Sequence, residues 1–159
     1  MMLPGMMAPV TLTAEQAQVT ATEQVIGVTV GEQHRAYILS AFDALGQKVI
    51  NDLVREIPIT VTYCDIHERA RVFTSTERGE YLTVGLGGWL DREMFFYYDN
   101  IRFGHSSKNA PLPDYPYIIT TWGEWLQQHP ASRIYLGDGT IPENNDSFDS
   151  SKPEIDSES

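Results

Sequence analysis

Cysteine is nearly absent from the chain: Cys64 is the only one in 159 residues. That excludes an intramolecular disulfide and a dithiol redox pair, and removes any signature of an oxidising compartment. Positive charge is also scarce. Eleven Lys and Arg stand against 22 Asp and Glu, a formal net charge of −11. Such a surface repels phosphate backbones and anionic lipid, so nucleic acid is not expected as a partner. Long apolar runs are missing too, and no stretch approaches the length needed to span a bilayer. The opening "MMLPGMMAPVTLTAEQAQ" has no basic region and is interrupted by Pro4 and Pro9, so it does not read as a signal peptide. The expectation is a soluble protein, cytoplasmic by default, with a trimmed export signal left open. Oligomeric state has no signature.

What is present between Val25 and Leu136 is a succession of short segments rich in Val, Ile, Thr, Tyr and Phe, separated by Gly, Asp, Asn and Pro. Strands are expected at 25–30, 35–40, 48–54, 57–64, 69–75, 80–86, 93–99 and 133–137, with "GEQ" as a tight hairpin connection between the first two. Pro58 cannot donate to a ladder and belongs at the first turn of its strand or on an edge. "GLGGW" (85–89) lacks the lysine and hydroxyl residue of a phosphate loop and reads as a bulge or bend. "SAFDALGQ" (40–47) reads as a short helical turn. In "TTWGEWLQQHP", Thr121 and Glu124 have capping-box spacing and Pro130 ends the segment, so one amphipathic helix is expected. Its Trp122, Trp125, Leu126 and His129 share a face, which predicts packing against a sheet.

The fold class expected is mainly β, a β-rich α+β chain forming a single compact barrel- or sandwich-like sheet domain with one amphipathic helix near its C-terminal end. Residues 1–24 read as a partly ordered N-terminal arm, 25–140 as the domain and 141–159 as a disordered acidic tail. The stretch 143–159 supplies −5 of the net charge and leaves −6 for the rest, so the body is only moderately acidic.

Candidate chemistry centres on "VTYCDIHERARVF" (61–73). In an unbroken strand Cys64 and His67 would point to opposite faces; they converge only if the chain turns after Cys64, where Asp65 suits a turn. His105, in the loop that follows "IRFG", is the best third ligand. His34 in its hairpin looks solvated, and His129 sits where a histidine commonly caps a helix end. A Cys64, His67 and His105 set would hold zinc or copper, and haem ligation through Cys or His stays among the alternatives. Cys64 as a small buried hydrophobe, or as an enzyme nucleophile, are the competing readings. An interaction domain without an active site is a further one.

The segments "VIGV" (25–28), "RAY" (35–37), "VIND" (49–52), "VTYC" (61–64), Phe73, "VG" (84–85), "YYD" (97–99) and "TTWGEWLQQHP" (120–130) stand in an order that resembles the bacterial domain of unknown function 3179 family, over roughly Val25 to Gly137. The resemblance carries no assigned activity. It implies a pattern of polar positions: a His before "VND", a C-P-x-C-G knuckle after "VTY", and a Trp-x-Gln element after "YD". Here Gln47 stands for the His, Cys64 keeps the first Cys, His67 replaces the second, and His105 falls near the Gln. Asp65 and Glu68 occupy the Pro and Gly of the knuckle. The implied reading is a small-ligand or metal-binding module built around Cys64 and His67 with His105, and with Gln47 and Tyr63 as supporting groups.

Overall fold

The structure, a computed structural model, describes residues 2–137. Strands β1 (Leu3–Pro4) and β2 (Met6–Met7) precede a short helix α1 (Ala14–Ala17). Then come β3 (Gln24–Val30), β4 (Gln33–Ile38), β5 (Val49–Val54), β6 (Ile57–Cys64) and β7 (Arg69–Phe73). The remainder is β8 (Gly85–Leu90), β9 (Glu93–Tyr98), β10 (Ile101–Gly104), β11 (Ile118–Thr121), α2 (Trp122–Gln128) and β12 (Arg133–Tyr135). Two 3-10 turns, Leu39–Asp43 and Leu45–Gln47, fill the connection expected to be helical.

The strands form three four-stranded sheets, ordered β1-β8-β9-β10, β2-β5-β6-β7 and β11-β3-β4-β12. The mainly β, α+β class is as expected, and among the described residues no barrel closes. The β2-β5-β6-β7 sheet is central, and its strands β5 and β6 are buried on both faces. Ile59 and Val61 join Ile50, Val54, Val72, Ile26, Val28 and Tyr37 in one core, while Cys64, Val49 and Phe73 join Leu86, Met94, Phe96 and Phe103 in a second. The polar residues within "VINDLV" and "IPITVTYC" are buried as well, and Asn51, Asp52, Thr60 and Thr62 are each hydrogen-bonded. A third, smaller cluster packs Trp122 and Trp125 of α2 on Val25, Ala36 and Ile134.

Polar braces cross these layers. Asp52 accepts from Arg35 Nη1 at 2.8 Å and from the Tyr37 hydroxyl at 2.7 Å, so a buried carboxylate is paired and hydrogen-bonded. Burial and the neighbouring Asp52 hold the Tyr37 hydroxyl well above its usual pKa. Asn51 donates to the Val84 carbonyl and accepts from Thr60.

Several local details differ from the sequence reading. Within 1–24, read as a partly ordered arm, the sequence reading named no elements; the structure puts β1 beside β8, β2 beside β5, and Leu12 beside Ile134. The strand expected at 80–86 begins only at Gly85, and the glycine-rich stretch is itself β8, with its register shift between Leu86 and Gly88. Thr121 caps α2 by accepting from the Glu124 N–H, but the Glu124 carboxylate turns to the Thr120 hydroxyl instead of completing the box. Gly27 permits the helix to dock, because a Cβ there would lie 2.4 Å from the Trp125 ring. His34 is half-buried and stacks on His129 with ring centroids 3.8 Å apart, so it is not a free turn residue. The tail expected over 141–159 lies outside the described residues.

Candidate functional site

The chain does turn after its cysteine. Strand β6 ends at Cys64, residues 65–68 form the turn with Glu68 in the left-handed region (φ 53°), and Arg69 pairs back with Cys64. Yet the turn separates the two side chains. Cys64 is 1 % exposed in the cluster with Val49, Phe73 and Phe96. His67 stands on the exposed turn, its Nε2 donating to the Arg92 carbonyl at 3.1 Å.

His105 arrives from the opposite side. Strand β10 pairs with β9, and the His105 N–H continues that ladder to the Met94 carbonyl. The ring is 6 % exposed, lies edge-on to Phe96, and reaches Thr62 Oγ1 through Nε2 at 3.2 Å. Burial, with the nearby Arg71 charge adding to it, lowers its pKa to about 4, so the imidazole is neutral at physiological pH.

Around His105 the chain opens into two neighbouring hollows of about 510 and 250 Å3, which share Arg69, His105 and Ser106 among their lining residues. The larger lies between β7, the loop after β10 and the segment 114–117, and is also lined by Arg71, Ser107, Lys108, Tyr115 and Tyr117. The smaller reaches His67, Asp91 and Glu93.

Arg71 builds the larger hollow. Its Nη1 donates to the carbonyls of His105 (3.0 Å) and Ser107 (2.6 Å), and its Nε and Nη2 grip both Asp114 oxygens. The forked guanidinium thus ties strand, loop and neighbouring segment together, with its charge spent on Asp114. Backbone bonds from Thr74 to Pro113 and from Tyr115 to Val72 hold that segment along β7. The Tyr117 hydroxyl donates to the Ala70 carbonyl and that of Tyr115 to the Thr29 carbonyl, so both rings are fixed walls.

Glu93 fixes the other side, accepting from the Ser106 N–H (2.9 Å) and hydroxyl (2.5 Å). Those bonds lower its pKa below the ordinary carboxylate value. Arg69 and Lys108 remain: both are exposed, and among the described residues neither forms an ion pair.

Of the residues singled out from sequence, His67 and His105 share the smaller hollow. Cys64 lies in the core beneath. Tyr63 is on the opposite face of β6, against Phe42, and Gln47 accepts from the Tyr135 hydroxyl. No group of three His, Cys, Asp or Glu side chains among the described residues is arranged to hold a metal ion. The residues missed by sequence reasoning are Arg69, Arg71, Ser106 and Lys108. One signal was available: arginines two apart in an expected strand share a face.

A family model described as "Protein of unknown function (DUF3179)" matches residues 2–144. No curated protein and no solved structure matches the sequence.

Proposed function

The chain belongs to the DUF3179 family, whose description leaves its activity open, and from that premise we propose that it is a small-ligand-binding module whose cleft at Arg69, His105 and Lys108 takes an anionic molecule. The observation that carries this reading is electrostatic. In a chain of net charge −11, two cations without ion-pair partners among the described residues flank one hollow whose floor is a neutral, buried imidazole. Asp114 also lines that hollow but is paired with Arg71, so the balance of its lining is positive, and a low-dielectric wall of net positive charge favours a counter-ion. Ser107 adds a hydroxyl whose oxygen accepts from the Asn109 N–H and whose proton has no acceptor among the described residues, and the hollow is large enough for a small carboxylate or phosphate compound.

The site requires no rearrangement. For Cys64, His67 and His105 to share zinc, copper or haem iron, the thiol would have to leave its enclosed position. Exposing the apolar surface that packs it costs on the order of 1 kcal/mol or more.

The test is a heteronuclear NMR titration of the full chain with succinate, with phosphate and with uncharged erythritol. The anions are expected to shift amides at 69–71 and 105–108 and erythritol to leave them in place. The same pattern should survive in Cys64→Ala and weaken several-fold in Arg69→Gln. Anion-induced shifts scattered over the surface, or none at all, would refute the reading.

A further inference from the structure

The hydrogen bonds beneath the cleft fix the tautomer of His105. Thr62 Oγ1 lies 2.7 Å from the Arg71 carbonyl oxygen and 3.2 Å from His105 Nε2. A carbonyl only accepts, and two oxygens at that separation with no hydrogen between them repel, so the single hydroxyl proton of Thr62 belongs to the Arg71 carbonyl. Thr62 must therefore accept from the imidazole. The Nε2 of His105 carries the proton, and Nδ1 keeps its lone pair.

That lone pair has no partner among the described residues, on a ring that is 6 % exposed and lines both hollows. A buried acceptor left unpaired is costly, and a ligand that brings a donor to it removes that cost. Resting on the anion-binding reading, we infer that the cleft selects anions that carry their own O–H donor, hydroxy-carboxylates or protonated phosphates, with Arg69 and Lys108 meeting the charge and His105 Nδ1 accepting the hydroxyl. An anion of the same charge and shape without that hydrogen leaves Nδ1 unpaired and binds more weakly. His105 is thus the specificity-determining residue of the cleft, and Thr62 is the positioning residue that sets its tautomer.

The experiment uses two matched pairs at neutral pH on the full, unmodified chain. Malate and succinate differ by one hydroxyl; phosphate and sulfate differ in that only phosphate carries a proton. Long-range 15N correlation spectra read the His105 tautomer in the same samples. The expected result is a protonated Nε2 in the free protein. Malate should bind about tenfold or more tighter than succinate, or phosphate than sulfate by a like factor, the pair that discriminates identifying the source of the hydroxyl. Discrimination should be accompanied by a shift of the Nδ1 resonance, and Arg69→Gln should weaken both members of a pair alike. Equal affinities within both pairs, or a proton found on Nδ1, overturn the inference and leave the anion site standing. If no anion binds at the cleft, the reading beneath it falls and the inference with it.

Discussion

At the residue scale, what distinguishes His105 from the other histidines is enclosure. Its pKa of about 4 lies below the ordinary 6.5 because burial penalises the charged ring and Arg71 stands nearby. The unfolded chain therefore binds a proton that the folded one refuses between those two values. Stability from this group is complete above about pH 6.5 and is lost as pH falls towards 4, by roughly 3 kcal/mol at most. The Glu93 contribution has the same sign but begins to fall only near the ordinary carboxylate pKa of 4.5. Urea unfolding midpoints should thus decline between pH 6.5 and 4.5 in the unmodified chain. In His105→Gln, which keeps a polar side chain but cannot titrate, the decline in that window should become markedly shallower, leaving the contribution of His129, whose pKa burial and the neighbouring His34 also lower. An unchanged decline would show that another group controls it. The histidine was legible in the sequence as a loop residue after a strand, but its tautomer was not, because the tautomer depends on Thr62, distant in the chain by 43 positions.

At the scale of elements, the strands were legible where β-branched residues cluster and obscure where glycine dominates. Strand β8 reads "GLGGWL" and has little intrinsic strand preference; pairing with β1 and β9 makes it a strand. The β3–β4 hairpin turns on Gly31 at φ 61°, but three others turn without glycine. Arg55–Glu56, Asp91–Arg92 and Asp99–Asn100 all sit at positive φ with no glycine among them. In two-residue turns this matches the right-handed twist of the strands, yet a side chain at left-handed φ costs energy that glycine does not. Arg92→Gly, at φ 68°, should therefore raise stability by about 1 kcal/mol. Thermal unfolding would check it, and a lower melting temperature would count against the strain argument. The longer turn at 65–68 places only Glu68 at positive φ. A bend at Asp65 was the condition the sequence reading set, but the sequence could not show that the sulfur would face the core while the imidazole faced water, since that depends on which face of β6 the β1-β8-β9-β10 sheet covers.

At the scale of the whole molecule, the stacking of three sheets explains why the segments that resemble the family are dispersed in sequence. Arg35 and Tyr37 of "RAY" meet Asp52 of "VIND", and Asn51 of the same element holds Val84 of "VG". These are braces between layers, so their spacing reflects packing rather than a ligand set. The cleft lies where the central sheet meets the β1-β8-β9-β10 sheet, and each contributes to it: Arg69 and Arg71 from one, Glu93 and the loop after β10 from the other. No helix among the described residues is long and apolar enough to cross a membrane. The net charge of the chain is strongly negative, so attraction of an anion must come from this local field and be screened by salt. The most direct measurement is calorimetric titration of succinate at low ionic strength into the unmodified chain and the Arg69→Gln/Lys108→Gln double variant. The account predicts measurable binding to the first, weakened by added salt, and loss of the signal in the second; equal binding to both would contradict it.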